Sequence, residues 1–301
     1  MRRFALVLGV ALALATPSLA APRPYTVVLG TAQDGGLPQA GCRRSCCTQG
    51  RHAAVASLAL VDPASGRWWL FDATPDLREQ LARMRTIAPS CSLAGVFVTH
   101  AHIGHYTGLM QFGREVMGTR SMPVWAMPRM RDFLTTNGPW SQLVRLEQIA
   151  LQPLTADSTV TLGDSLQVTP FRVPHRDEYS ETVGFRIMTS RGAVVFLPDI
   201  DKWERWDRRI EDAIAGTTAA YLDGTFFDAS ELPGRDMREI PHPFIVESLA
   251  RFAPLAPSDR ARVRFLHLNH TNRAAIPDRP ERHAIERAGL QVAAEGERVS
   301  L

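Results

Sequence analysis

Lysine is almost missing from this chain: Lys202 is the only one among 34 lysines and arginines. That bias reads as genomic base composition rather than function. The formal net charge is only +3 and the basic residues form no long run, so nothing here has the electrostatic footprint of a nucleic-acid binder. Beyond the N-terminus no stretch approaches the roughly 18 unbroken apolar residues of a membrane span. There is also no low-complexity linker, no short-period repeat and no sharp break in composition. Cysteine is scarce, and three of the four (Cys42, Cys46 and Cys47) crowd together while Cys91 stands alone. Four cysteines allow three full pairings in an oxidising compartment. A bridge between the adjacent Cys46 and Cys47 would be strained, so the cluster suits metal binding or one short bridge. Cys91 reads as a buried free thiol.

With 301 residues, 45% hydrophobic and 22% charged, the chain has the composition and length for one large core. Its start reads as an export signal. Arg2 and Arg3 lead, 4–15 is apolar, and Ser18-Leu19-Ala20 fits a small-x-small cleavage rule. Cleavage after Ala20 would leave a protein of residues 21–301, exported to a periplasm or secreted, and free of the membrane. No cysteine follows the cut, which argues against a lipid anchor.

Hydrophobic periodicity places strands at 25–30, 54–61, 67–71 and 93–98, the second and third joined by the turn-rich Asp62-Pro63-Ala64-Ser65-Gly66. A helix is expected over 76–84, and another is expected to begin within 106–113. Further on come strand 122–126, helix 128–136, strands 149–153, 165–173, 183–189 and 193–197, and helix 203–214. Strand 219–222, helix 245–252, strand 263–268 and helix 280–288 complete the order. Two sheets sandwiched between helices, as one domain, is the simplest packing of such a series.

The most informative segment runs from Thr99 to Leu109 and reads T-H-A-H-I-G-H-Y-T-G-L. His100 and His102 follow an apolar strand two residues apart. In extended chain such residues point the same way, so both imidazoles reach one point, as zinc or a similar transition metal requires. Ligand-type residues recur where later strands run out: His175 after Pro174, Asp199 after Pro198, and His267 with His270 after 263–266.

These landmarks resemble the metallo-β-lactamase superfamily, whose usual first motif is H-x-H-x-D-H. Within it, G-T-A-Q-D-G-G-L-P-Q from Gly30, T-G-L at Thr107, D-G-T-F-F at Asp223 and N-H-T-N at Asn269 resemble the pyrroloquinoline-quinone biosynthesis protein B family. The resemblance spans about 25–272. It implies an α/β fold, an αβ/βα four-layer sandwich with metal at the sheet edges. Carried over by position, His100, His102 and His175 would hold one metal. Asp199 would bridge to a second and hold the attacking water, and His105 and His267 would complete that second site. Gly104 departs from the pattern where the family carries aspartate, which removes an oxygen ligand. A three-donor second site, weaker and more labile than the first, is the expectation that follows. The superfamily's phosphonate-pathway cyclic phosphodiesterases share a terminal H-x-x-H. By that analogy His270 joins Cys42, Cys46 and Cys47 on a structural zinc, with a short disulfide as the rival. The spacing here, C-x-x-x-C-C, differs from the C-x-C-x-x-C of those relatives.

Other residues divide between roles. Asp34 is either a hydrogen-bond partner of a ligand histidine or a turn former. His242, between prolines, is a candidate general acid or substrate contact. Asp223 sits at a strand end and either supports the site or starts a turn. Arg172 and Arg176 flank His175, His52 and His283 read as surface residues, and Trp203 and Trp206 as helix packing. The leading reading is an exported hydrolase acting through metal-activated water on a small molecule carrying an ester, amide, lactone or phosphodiester. Zinc is the expected ion, one or two at the site, with iron as an option. Two alternatives stay open: an iron-dependent oxygenase or hydroxylase, and a binding homologue with a decayed site. Neither the substrate nor the oligomeric state is legible.

Overall fold

The apolar runs become strands buried on both faces. The computed structural model describes residues 22–163, 165–236 and 239–301; the export-signal reading of residues 1–20 lies outside them. Fourteen strands are seen among the described residues. The first half gives β1 (Tyr25–Gly30), β2 (Ser57–Asp62), β3 (Arg67–Phe71), β4 (Ser92–Phe97), β5 (Met122–Ala126) and β6 (Ile149–Pro153). The second gives β7 (Val160–Leu162), β8 (Leu166–Arg172), β9 (Val183–Met188), β10 (Ala193–Leu197), β11 (Ala219–Asp223), β12 (Val263–Leu266), β13 (Gln291–Val292) and β14 (Arg298–Ser300). They form two seven-stranded sheets, β14-β1-β2-β3-β4-β5-β6 and β13-β12-β11-β10-β9-β8-β7.

Each sheet is half antiparallel and half parallel. In the first, β3, β4, β5 and β6 run parallel and the rest pair antiparallel. In the second, β10, β11, β12 and β13 are the parallel set, and β7 to β10 pair antiparallel. Parallel strands covered on both faces need near-continuous apolar sequence, and Ala193-Val194-Val195-Phe196-Leu197 supplies it.

Period-two alternation sorts these side chains into layers. Val194 and Phe196 face the other sheet, where they join Phe71, Phe97, Phe185 and Tyr221 in the central core. Val195 and Leu197 face outward against Trp203, Ile210, Ile245, Phe252 and Ile285. On the opposite flank Leu70 and Val96 face outward against Leu77, Met84, Phe112, Met130 and Leu134. The result is the four-layer αβ/βα sandwich.

Helices Leu77–Ile87, Pro128–Thr136, Ile245–Phe252 and Pro280–Arg287 match the sequence expectations closely. Three differences have physical causes. β2 starts at Ser57 rather than 54, because Ala53 and Val55 instead make isolated bridges with Leu37 and Ala32. The expected helix 203–214 breaks into a short 3-10 turn, Trp203–Arg205, and a helical turn, Ile210–Ile214. Between them Trp206 is held extended: its indole N–H donates to the Arg172 carbonyl at 2.9 Å, and its ring stacks on Phe171. The expected helix near 106–113 is a helical turn, Ile103–Tyr106, followed by 3-10 turns, Thr107–Phe112. Cys91 is free, as expected, but only half-buried.

The centre of the sandwich is aromatic. Phe71 stacks on Phe97 at 5.0 Å and meets the edges of Phe185 at 5.4 Å and Phe196 at 6.3 Å across the two sheets. Truncating it removes both buried area and the ring contacts that join the sheets. Phe71→Ala is expected to cost about 3–5 kcal/mol, read from denaturant midpoints; a loss below about 1 kcal/mol would show that the sheets are not tied there.

Candidate metal centre

The parallel strands of both sheets end at one place. β3 runs out into Asp72, β4 into Thr99, His100 and His102, β10 into Asp199 and β12 into His267, while β11 ends on Asp223. His175 follows β8. The carboxyl ends of parallel strands are where rigid scaffolds aim side chains from distant sequence at one point.

Asp199 stands in the middle. Its Oδ2 lies 3.4 Å from His100 Nε2, 3.0 Å from His105 Nε2 and 3.4 Å from His267 Nε2. Its Oδ1 lies 3.9 Å from His175 Nε2 and 3.4 Å from His242 Nδ1. The carboxylate therefore belongs to two four-membered donor groups at once, beside a smaller one with Asp223 and His242. One is His100, His102, His175 and Asp199; the other is Asp34, His105, His267 and Asp199. Within each group the donor atoms fall within 4.8 Å of one another.

Outer hydrogen bonds decide which nitrogen each imidazole presents. His105 Nδ1 bonds Asp72 Oδ2 at 2.7 Å, and His175 Nδ1 bonds Asp201 Oδ1 at 3.2 Å. His100 Nδ1 bonds Thr99 Oγ1 at 2.9 Å, and that hydroxyl donates on to Asp72 Oδ2 at 3.0 Å. The same relay recurs on the other sheet: His267 Nδ1 bonds Thr225 Oγ1 at 3.0 Å, and the hydroxyl donates to Asp223 Oδ1 at 2.7 Å. Each of these four rings is left with Nε2 for the centre. His102 is turned the other way. Glu178 holds its Nε2 at 2.9 Å, and its Nδ1 comes 2.9 Å from His100 Nε2.

The inward atoms lack partners of their own. His105 Nε2, His175 Nε2, His267 Nε2, Asp199 Oδ1 and Asp34 Oδ1 are buried without a hydrogen bond among the described residues. Buried polar atoms are ordinarily paired, and lone pairs turned toward one another repel unless a cation lies between them. Imidazole nitrogen and carboxylate oxygen are the donors that zinc and related divalent ions take, so the residues fit such ions. The backbone is committed as well. His267 and Asp72 adopt φ of +61° and +66°, a left-handed conformation that residues with a Cβ seldom hold unless their surroundings fix it.

Burial would raise the Asp199 carboxyl, but the pull of His267 and His175 holds it well below the usual carboxylate range. Burial and the charge of His105 push His100 well below the usual imidazole value. His242 goes the other way. Burial would lower it, but Asp223, whose Oδ2 accepts from Nδ1 at 2.8 Å, and beyond it Asp199 raise it to about 9.

The second cluster lies at Cys42, Cys46, Cys47 and His270, whose donor atoms are also within 4.8 Å of one another. Cys42 and Cys46 Sγ are 4.0 Å apart, and Cys46 and Cys47 Sγ 3.9 Å. Thiolates at about 2.3 Å around a tetrahedral zinc stand roughly 3.8 Å apart. All four cysteines are free in this structure. His270 Nδ1 bonds Asn269 Oδ1 at 3.0 Å, leaving Nε2 for the thiols.

Every histidine and cysteine singled out as a donor thus falls in one of these clusters. Where the motif gives the second group three donors, Asp34 Oδ1 stands beside them. His52, His283, Arg172 and Arg176 are exposed, and Trp203 and Trp206 are buried packing residues. Asp72, Asp201, Glu178, Thr99 and Thr225 were not anticipated. Faint signals existed: Asp72 ends an apolar strand as Asp199 does, and Asp201 lies two residues from Asp199.

The family model described as the Beta-lactamase superfamily domain matches residues 67–268, and the chain belongs to that superfamily. Among curated proteins it resembles coenzyme PQQ synthesis protein B. It is 28% identical to that of Ruegeria pomeroyi, over 90% of this chain and 97% of the relative, and 27% identical to that of Methylorubrum populi, over 90% and 98%. Among solved structures, a Zn(2+)-bound PqqB from Methylobacterium extorquens superposes with a TM-score of 0.76 at 24% identity, covering 92% of this chain and all of that one. A diphosphatase from the PhnP family gives 0.66 at 19% identity, over 93% and 98%. Human tRNase Z, short form, gives 0.57 at 16%, over 92% and 98%. At these identities the structural likeness concerns the fold.

Asp72 stands behind the donor centre yet aims His105 and, through Thr99, His100. Asp72→Asn is expected to loosen metal at the His105 side by about 10–100-fold, the usual effect of losing such a partner. Competitive chelator titration reads this directly, and unchanged affinity would remove Asp72 from the account.

Proposed function

We propose that this chain is a metal-dependent hydrolase holding a pair of zinc ions in its sheet-edge site and a separate structural zinc on Cys42, Cys46, Cys47 and His270. The observation that carries this is the Asp199 carboxylate standing between two sets of imidazole nitrogens, of which Nε2 of His175, His105 and His267 have no hydrogen bond of their own. His100, His102 and His175 would hold one ion and His105 and His267 the other, with Asp199 shared. When bound, such ions lower the pKa of a coordinated water to about 7 and polarise the substrate's electrophilic centre.

The chain's own residues supply the rest. Asp199 orients the attacking water from its position between the donor groups. Asp223, bonded to Nδ1, favours the protonated form of His242, and with Nδ1 so engaged the transferable proton sits on Nε2. That proton goes to the departing oxygen, which matters most when the leaving group is a poor one. Phosphodiesters fit this arrangement best among the ester, amide, lactone and phosphodiester classes. Support comes from the neighbours of like fold, a PhnP-family diphosphatase, tRNase Z and yeast PDE1. The export reading of residues 1–20 belongs to the same proposal: a mature N-terminus at Ala21 supports it, and an intact Met1 on exported protein refutes it.

Iron-dependent oxygen chemistry is the second reading. Its support is the likeness to coenzyme PQQ synthesis protein B over 90% of the chain, and histidine and carboxylate donors that also accept iron. Protein prepared without added metal, assayed on model phosphodiesters, lactams and esters with oxygen uptake followed in parallel, separates the two. Zinc with hydrolysis is expected, whereas iron with substrate-dependent oxygen uptake and no hydrolysis would reverse the assignment. His242→Gln should slow cleavage of alkyl phosphodiesters by about 10²–10⁴-fold, while esters of acidic nitrophenols lose far less. Equal losses on both would show that His242 does not act as the acid.

A further inference from the structure

Gly104 stands where the superfamily's histidine motif carries an aspartate, and on that motif alone the second site has lost its carboxylate. The structure fills the place from elsewhere. Asp34, on the loop after β1, sets Oδ1 3.3 Å from His105 Nε2 and 3.9 Å from His267 Nε2. These are the two nitrogens turned toward the second ion, since Asp72 and Thr225 occupy Nδ1 of each ring. Asp34 Oδ1 is buried and has no hydrogen bond among the described residues. A carboxylate that supported a ligand histidine from behind would meet its Nδ1, as Asp72 does. One that faces Nε2 of two neutral rings meets lone pairs, and a shared cation reconciles the three.

Asp34 and Gly104 also exclude one another's alternatives. A Cβ on residue 104 would come 2.1 Å from Asp34 Oδ1 and 2.7 Å from Asp34 Cα, so an aspartate at 104 and the present Asp34 loop cannot coexist. The loop is fixed from behind. Gln33 N donates to the Leu268 carbonyl at 2.9 Å, and Leu268 N donates to the Thr31 carbonyl at 2.8 Å. The segment bearing Asp34 is therefore stitched to the residue that follows His267, and both donors move as one unit.

We infer that Asp34 is a direct ligand of the second ion, the carboxylate of the histidine motif having been transposed to the β1 loop, with Gly104 glycine because that space is taken. The second site is then a four-donor set of Asp34, His105, Asp199 and His267, matched in number to the first. This rests on the two-metal reading above.

The test compares the unmodified protein with Asp34→Asn and Gly104→Ala. Metal-free samples are titrated with Zn²⁺ against a chromophoric chelator, and with Co²⁺ followed by its visible spectrum. Circular dichroism of each metal-free sample confirms that it is folded. The unmodified protein should bind two ions at the histidine cluster. Asp34→Asn should keep one with unchanged affinity and loosen the other by about 100-fold, the upper end of what an outer partner alone costs, with a changed Co²⁺ band for that ion. Gly104→Ala alters no donor yet displaces Asp34, and should weaken the same ion. Two ions held by Asp34→Asn with unaltered affinity and spectrum would overturn the Asp34 assignment and leave the hydrolase reading standing. Loss of both ions together would overturn it too, by making Asp34 a scaffold for the whole site. Failure of the unmodified protein to bind any ion at the histidines would overturn both.

Discussion

Lone pairs must be aimed, and everything in this fold that bears on function serves that constraint. An imidazole offers a metal one nitrogen only if something else holds the other. Here Asp72, Asp201, Thr99, Thr225 and Glu178 each take one nitrogen of a ring. What remains, at His105, His175 and His267, is a set of unpartnered nitrogens about the Asp199 carboxylate, an arrangement that is unfavourable when empty and favourable around cations. The cost of the metal-free geometry is borne by the scaffold, which explains why His267 and Asp72 can be held in left-handed backbone conformations.

The scaffold can do this because both sheets contribute. Asp72 and the first three histidines hang from parallel strands of one sheet, and Asp199, Asp223 and His267 from parallel strands of the other. The aromatic layer between the sheets, with Phe71, Phe97, Phe185 and Phe196 in mutual contact, fixes their separation and so fixes the site. Close packing transmits such constraints without slack. The hydroxyl relays from His100 to Asp72 and from His267 to Asp223 occupy matching positions on the two sheets, so each half of the fold aims its histidine by the same device.

Much of this was legible in the sequence, and for one reason. Ligands placed where apolar strands run out are marked by their neighbours, so His100, His102, His175, Asp199 and His267 announce themselves. The four-layer sandwich follows from strands apolar on both faces with amphipathic helices between. The edge strands β7, β13 and β14 escaped because two or three residues carry no period. Asp34 was read only as a histidine's hydrogen-bond partner or a turn former, and Asp72 escaped, for a deeper reason. Their partners lie 71 and 33 residues away, at His105 in both cases, and local pattern holds no trace of a contact made across the fold. Gly104 shows the same limit from the other side: read locally it is a loss, whereas in space it is the room that Asp34 occupies.

The claim at the centre of the account is that Asp199 is shared between two ions. Anomalous diffraction at the zinc edge from crystals of the metal-loaded protein tests it without any assumption about substrate. The account predicts two peaks at the sheet edge, one on each side of the Asp199 carboxylate, and a separate peak among Cys42, Cys46, Cys47 and His270. A sheet edge with no peak, or with peaks that leave Asp199 uncoordinated, would contradict it.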